Sequence, residues 1–338
     1  MNIKNLEKLC NLYGGSGDEK AVRDFIYENI KAYADEISVD NLGNLITLKK
    51  AKQKSNVKIA LTAHMDEVGF IVTSIRPDGT LKFAPVGGVN ADSVLGRRVV
   101  VNGNKGVVGA KAIHNMTEAE QKAPANFDDF SIDIGQLNST DTEKIISLGD
   151  RVYFEENFIS FGDGMIASKA IDDRFGCAVL MSLIKKELPC NVTFAFLTQE
   201  EIGCRGAKAA VLDAKFAIVV ETTTAADFDG VPDEQKCTKI GGGAVISFMD
   251  KGAIYDKNLF EVCKKTADEN NIKWQTKTLI AGGNDASAIS LKSGGIRTCA
   301  ISLPCRYLHT ANCVARISDM EAVENLTEKM IDAIANLG

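Results

Sequence analysis

The chain has 338 residues, a formal net charge of -6, 45% hydrophobic and 25% charged residues, which is enough apolar material for one large domain or two ordinary ones. The acidic balance, with no dense Lys/Arg block interleaved with aromatics, excludes nucleic-acid backbone recognition as the main task. No apolar run reaches the ~18 residues of a membrane helix, and MNIKNLEKLCNLYGG has neither a signal core nor a small-residue cleavage site, so the expected setting is the cytoplasm, without a membrane partner.

Two helical stripes open the chain: Leu6, Leu9 and Leu12, then Val22, Phe25, Ile26, Ile30 and Tyr33, the second introduced by Gly15, Ser16 and Gly17 with Asp18 available as a cap. NLITLKK (44–50) and KIALTAH (58–64) read as strands, the latter apolar throughout its middle as in a buried, largely parallel sheet. From 70 to 162 the character changes to short β-like runs (GFIVTSI, GRRVVVNG, KGVVGAKAI, DRVYF) between Gly, Asp and Asn turns, without a convincing helix. This reads as a small β-domain inserted into a larger one, whose two parts are 1–69 and 163–338; within it, 115–130 is polar and aperiodic and reads as a mobile loop. Helix and strand then alternate: a helix over 173–187, strands at 192–198 and 216–221 with a short helix at 207–213 between them, a helix over 256–271, a strand at 297–304 and a closing helix over 317–337. That alternation predicts an α/β fold, a central mixed, largely parallel sheet with helices on both faces. The nine cysteines are scattered without CxxC pairs and read as reduced, buried small hydrophobes.

Histidine is scarce, three in the whole chain, and two of the three stand at strand ends beside carboxylates. His64 closes KIALTAH within AHMDEVG, and His309 follows the apolar run TCAISLP. In open α/β sheets ligands gather beyond the carboxyl ends of strands, and there the chain also places Glu200 with Glu201 and Glu221, while Asp172 and Asp173 precede a helix whose N-terminus favours negative charge. One imidazole with two or three carboxylates suits zinc, cobalt or manganese, and the set divides into two such sites bridged by a carboxylate. Of the adjacent Glu200 and Glu201, which leave the backbone in different directions, one can bind metal while the other takes a proton. Each motif alone has a plainer reading, a hydrogen-bonded histidine or a solvated acidic turn; their coincidence at apolar strand ends favours metal, because buried carboxylates are costly unless paired.

Read in order, AHMDEVGFIV (63–72), SKAIDDRFGCAV (168–179), TQEEIGCRGA (198–207), AIVVETTTAAD (217–227), GGNDASAI (282–289) and RYLHT (306–310) resemble the M42 metalloaminopeptidases, the glutamyl- and tetrahedral-aminopeptidase group. IDIG (132–135) and GDRVYF (149–154) resemble that family's inserted β-domain, a small barrel-like unit, so the likeness spans nearly the whole chain. The resemblance implies two divalent ions per subunit, zinc or cobalt ahead of manganese: His64, Asp172 and Glu221 on one, Asp172, Glu201 and His309 on the other, with Asp172 bridging. It implies Glu200 as general base, Asp66 as the carboxylate orienting His64, Asp173 as structural, and Gly283, Asn284 and Asp285 at the substrate. Glu221 and Asn284 depart from the commoner Asp and Thr, the second putting substrate preference rather than reaction type in question. The implied reaction removes the N-terminal residue of short peptides, in a homo-oligomer built from dimers up to a tetrahedral dodecamer. The rival readings are an N-acyl amino acid deacylase of the same architecture, a glycosidase, disfavoured because adjacent glutamates do not flank a bond at about 5 Å or more, and an inactive assembly protein. His114, in the inserted domain, is expected to be structural.

Overall fold

The computed structural model describes residues 2–53 and 55–337. Helices α1 (Ile3–Asn11) and α2 (Lys20–Ile30) lead into strands β1 (Glu36–Val39), β2 (Leu45–Lys49) and β3 (Lys58–His64). Six strands follow, β4 (Gly69–Ile75), β5 (Leu81–Val86), β6 (Arg98–Val101), β7 (Asn104–Ala110), β8 (Phe130–Asp133) and β9 (Arg151–Phe154), and close a barrel in the order β4-β5-β8-β7-β6-β9. Short helices α3 (Glu118–Lys122) and α4 (Ser139–Thr142) sit on its connections. Then come β10 (Ile159–Phe161), β11 (Met165–Ser168), α5 (Ile171–Leu183), β12 (Asn191–Leu197), α6 (Arg205–Ala209), β13 (Phe216–Thr224), β14 (Ala244–Ile246), α7 (Lys257–Glu269), β15 (Trp274–Thr276), α8 (Ala286–Ile289), β16 (Arg297–Cys305), β17 (Cys313–Arg316) and α9 (Ile317–Ala335).

Among the described residues, eight strands form the central sheet in the order β1-β2-β12-β3-β13-β16-β14-β15. Its middle, β12-β3-β13-β16, is parallel, and antiparallel pairs flank it, so the sheet is mixed as expected. Period-2 alternation decides what each face can carry. Ile59, Leu61, Phe194, Phe196, Ile218 and Ile301 pack on one side with residues of α1, α2, α5, α7 and α9, while Ala60, Ala195, Ala217 and Ala300 face the other, where the short α6 and α8 lie. Large residues thus sit under long helices and alanines under short ones.

The sheet positions the chemistry by splaying. β12 stays paired with β3 as far as Leu197 opposite His64, whereas β13 leaves β3 after Val219 opposite Thr62. Beyond that point Glu221 and His64 face a common gap at the carboxyl ends of the strands, where an open α/β sheet collects its ligands. A buried polar knot fixes the connection after β3. Arg174, on α5, is fully buried and donates to the carbonyls of Leu9, Leu12, Gly14 and Met65, and with Lys169 it pairs with buried Glu67 at 3.2 and 2.8 Å.

Two local expectations change. Asp18 does not cap α2, whose N-cap Glu19 makes no side-chain cap bond; Asp18 instead accepts from Tyr153 of β9 at 2.6 Å, tying the N-terminal turn to the barrel. The segment 115–130 is not a bare loop: Thr117 and Glu120 form a reciprocal capping box for α3, and Phe127 packs on Phe70, Phe83 and Phe130 of the barrel core. A five-residue helix is too short to show a 3.6-residue period, so the pattern carried no signal.

Candidate metal centre

His64 is 2% exposed and its orientation is fixed from behind. Its Nδ1 lies 3.1 Å from the carbonyl oxygen of Asp66 and 3.3 Å from Asp66 Oδ1, which assigns the proton to Nδ1 and turns the Nε2 lone pair forward. Nε2 stands 3.3 Å from Asp172 Oδ1 and 3.6 Å from Glu221 Oε1. His309 repeats the design: Nδ1 donates to the Gly88 carbonyl at 3.0 Å, and Nε2 lies 3.5 Å from Asp172 Oδ2 and 3.3 Å from Glu201 Oε2. The two oxygens of Asp172 therefore face different histidines.

Asp66 is the hub beneath both clusters. Fully buried, it accepts from the backbone N–H groups of Glu200 and Glu201 at 3.0 and 3.2 Å and from the Ser16 hydroxyl at 2.6 Å, besides His64. This holds the Glu200–Glu201 backbone against the end of β3. Tight packing extends to the next turn, where Gly206 is obligatory: a Cβ there would meet the Thr198 carbonyl at 2.3 Å and Asn44 Oδ1 at 2.4 Å. Gly176 is obligatory for a related reason, since Asp173 occupies the space its Cβ would fill.

Electrostatically the site is a crowd of carboxylates without Lys or Arg ion pairs among the described residues. Burial, with Asp172 and Glu200 nearby, pushes Glu221 up to about 8. Burial and neighbouring carboxylates likewise raise Glu200, Glu201 and Asp173. Burial opposes a charge on His309, but Asp172 and Glu201 outweigh it and lift the imidazole to about 10; His64 is raised in the same way by Glu221, Asp172 and Asp66. Protons gather where a cation is wanted.

Among the described residues, three groups that could hold such a cation have mutually close ligand atoms, and two of them contain a histidine, Asp172–Glu201–His309 and His64–Asp173–Glu221. The His64 group includes Asp173, which was expected to be structural. Asp173 Oδ1 accepts from Gly176 N at 2.9 Å and Oδ2 has no hydrogen-bond partner. Asp172 is nevertheless the carboxylate that lies within 3.5 Å of both imidazoles. The donor set, imidazole nitrogen with carboxylate oxygens, suits a borderline divalent ion.

A cleft of about 290 Å³ opens over these residues. Gly283 and Asn284 line it, as do Asp250, Tyr255 and Lys277; Asp285 does not, being 1% exposed. Sequence reasoning missed Ser16, Gly88 and Lys277: the first two act on the clusters from a turn and a barrel loop without motif character, and a lone lysine carries no pattern. His114 is exposed in the turn Ile113–Asn115 and belongs to neither cluster.

An α/β sheet whose strand ends converge two histidine–carboxylate clusters under an open cleft defines a metal-dependent hydrolase. The chain belongs to the M42 glutamyl aminopeptidase family, whose model matches residues 43–326. A putative aminopeptidase of Acetivibrio thermocellus is 39% identical over 97% of both chains. Among solved structures, a TET aminopeptidase of Thaumarchaeota archaeon SCGC AB-539-E09 superposes with a TM-score of 0.94 at 31% identity, covering 99% of this chain and 98% of that one. The Pyrococcus horikoshii TET1 peptidase, described as assembling into a tetrahedron or a large octahedral shell, gives 0.86 at 32% identity over 97% and 98%. The protein is thus a metal-dependent aminopeptidase, a hydrolase acting with divalent metal. No helix among the described residues is long and apolar enough to cross a membrane.

Proposed function

We propose that the centre holds two divalent ions, zinc or cobalt ahead of manganese, on His64, Asp172 and Glu221 and on Asp172, Glu201 and His309, to release N-terminal residues from short peptides. The observation that carries this reading is Asp172, whose two oxygens lie 3.3 and 3.5 Å from two different imidazoles that are each oriented by a second partner. When bound, such ions polarise the scissile carbonyl and make water a nucleophile near neutral pH. Glu200 lines the cleft, and Cys204 donates to its Oε1 at 3.4 Å, which leaves Oε2 to take a proton from the attacking water and return it to the leaving amine. The carboxylate-rich floor favours a substrate with a free α-ammonium group, which separates this reading from N-acyl deacylation.

Substrate preference follows from the cleft's charges. Lys277 is the one Lys or Arg among its lining residues, and its ammonium donates to the Ala281 carbonyl without a carboxylate within 4 Å among the described residues. Asp250 is saturated, accepting from Gly252 N, Ala253 N and the Tyr255 hydroxyl. A cation without a carboxylate partner, in the same cleft as the metal-binding carboxylates, matches an acidic N-terminal side chain. The test is a panel of acidic, basic, apolar and N-acylated aminoacyl chromogenic substrates, assayed with zinc, cobalt and manganese in turn. Free-amine acidic substrates should be preferred, and Lys277→Gln should raise their KM by roughly 10-fold, one charge-assisted contact. Preference for N-acylated substrates would refute the aminopeptidase assignment; an unchanged KM would refute the role of Lys277.

The barrel strands between Gly69 and Phe154, which begin one residue before the expected inserted segment 70–162, are assigned to assembly. Leu95, Val107, Ile113, Leu137 and Leu148 leave apolar side chains exposed there, and the P. horikoshii TET1 peptidase can assemble into a tetrahedron or a large octahedral shell. A homo-oligomer built from dimers, such as the tetrahedral dodecamer, is expected by light scattering, working in the cytoplasm on short peptides.

A further inference from the structure

Beside the metal centre lies a cluster of which the hydrolytic reaction uses only Glu200. Ligand atoms of Glu200, Cys204 and Asp285 all lie within 4.8 Å of one another. Asp285, at the N-terminal edge of α8, is 1% exposed, and neither of its carboxylate oxygens has a hydrogen-bond partner. Asp250 shows what a satisfied buried carboxylate looks like in this protein: 2% exposed, it accepts from three donors. A carboxylate buried without hydrogen-bond partners is costly unless it takes up a proton or a cation, and the space between Asp285 and its two neighbours is where a cation could sit. Those neighbours are the thiol of Cys204, 3.4 Å from Glu200 Oε1, and Glu200 itself, both partly open to solvent.

We propose that Glu200, Cys204 and Asp285 form a third cation site, selective for a thiophilic divalent ion such as zinc, and that an ion there inhibits the enzyme. One sulfur and two carboxylate oxygens leave a fourth, tetrahedral position for water, the coordination zinc accepts readily; magnesium, calcium and manganese gain little from a sulfur ligand. Binding breaks the Cys204 S–H bond, forms a sulfur–metal bond and releases the thiol proton to solvent. Inhibition rests on the reading of Glu200 as general base, since an ion on its carboxylate blocks proton transfer. Catalytic and inhibitory ions would then be distinguished by ligand chemistry, the catalytic pair on nitrogen and oxygen only.

The experiment starts from holoenzyme carrying two equivalents of zinc and adds further zinc, following bound metal by elemental analysis and turnover in parallel. A third equivalent should bind as turnover falls, and in Cys204→Ser and Asp285→Asn the concentration of zinc that halves turnover should rise about 10- to 100-fold. Cadmium added in the same way should give a near-ultraviolet thiolate charge-transfer band that Cys204→Ser lacks. If no third equivalent binds, or if both variants bind it and are inhibited as the parent is, the site is refuted. A third ion that binds with the band but leaves turnover untouched supports the site and overturns Glu200 as the base, so the two failures are separable.

Discussion

Replacing Asp66 by asparagine removes one charge and one acceptor from the hub beneath both clusters while keeping its shape. In the native arrangement Oδ1 serves His64 Nδ1 and Glu200 N, and Oδ2 serves the Ser16 hydroxyl and Glu201 N. An amide must put its NH2 on one side. Placed toward His64 it would face two N–H groups; placed toward Ser16 it faces a hydroxyl that can rotate to accept, and only Glu201 N is left without a partner. The second orientation is therefore favoured, at a cost of about 1–3 kcal/mol for one buried unpaired donor. His64 then keeps a neutral acceptor in place of a charged one, a change that costs about 10- to 100-fold in metal affinity where a carboxylate backs a ligating histidine. We expect Asp66→Asn to fold, to bind metal 10- to 100-fold more weakly in competition with a fluorescent chelator, and to regain part of its activity at saturating metal. Affinity within twofold of the parent would refute the idea that Asp66 works by holding His64 and the Glu200–Glu201 backbone.

Two further outcomes follow from single groups. Glu200→Gln should lower kcat by roughly 10²- to 10⁴-fold, the usual contribution of a general base, while elemental analysis finds both metals retained; loss of both ions would sink the assignment. Glu67→Gln leaves Lys169 and Arg174, 1% and 0% exposed, as buried cations without their carboxylate, so stability should fall by about 3–5 kcal/mol and the thermal midpoint of the holoenzyme by several degrees. An unchanged midpoint there would mean that the four carbonyls around Arg174 suffice without Glu67.

The sequence made some parts of this molecule legible for a physical reason. β3, β13 and β16 are buried on both faces, so their composition announces them, and the centre draws on residues at or near their carboxyl ends: His64 closes β3, Glu221 lies within β13 and His309 follows β16. β14 and β15 went unread because three-residue strands carry no period, and α3 because its stability comes from a capping box rather than an apolar face. Within the site, ligand residue types could be found by their positions at strand ends, but the groups that orient them could not. Ser16 lies 50 positions from the Asp66 it serves, and Asn44 lies 154 from the backbone of Thr198 that it accepts from.

Gly88 is the extreme case, 221 positions from His309, and it changes how the inserted barrel should be regarded. A backbone carbonyl offers no sequence signal, since any residue there presents the same oxygen; what matters is that the chain after β5 returns to the cleft. By accepting from Nδ1, Gly88 selects the tautomer in which His309 Nε2 is free to face Asp172 and Glu201, and a Cβ at position 88 would come within 3.2 Å of that same nitrogen. His309 itself has a positive φ of 59°, a conformation that costs a non-glycine residue free energy and that its surroundings must therefore enforce. One cluster thus depends on the barrel for its imidazole, whereas the His64 cluster is oriented by Asp66, next to its own strand. It follows that disturbing the barrel near Gly88 should weaken the Asp172–Glu201–His309 cluster before the His64 cluster.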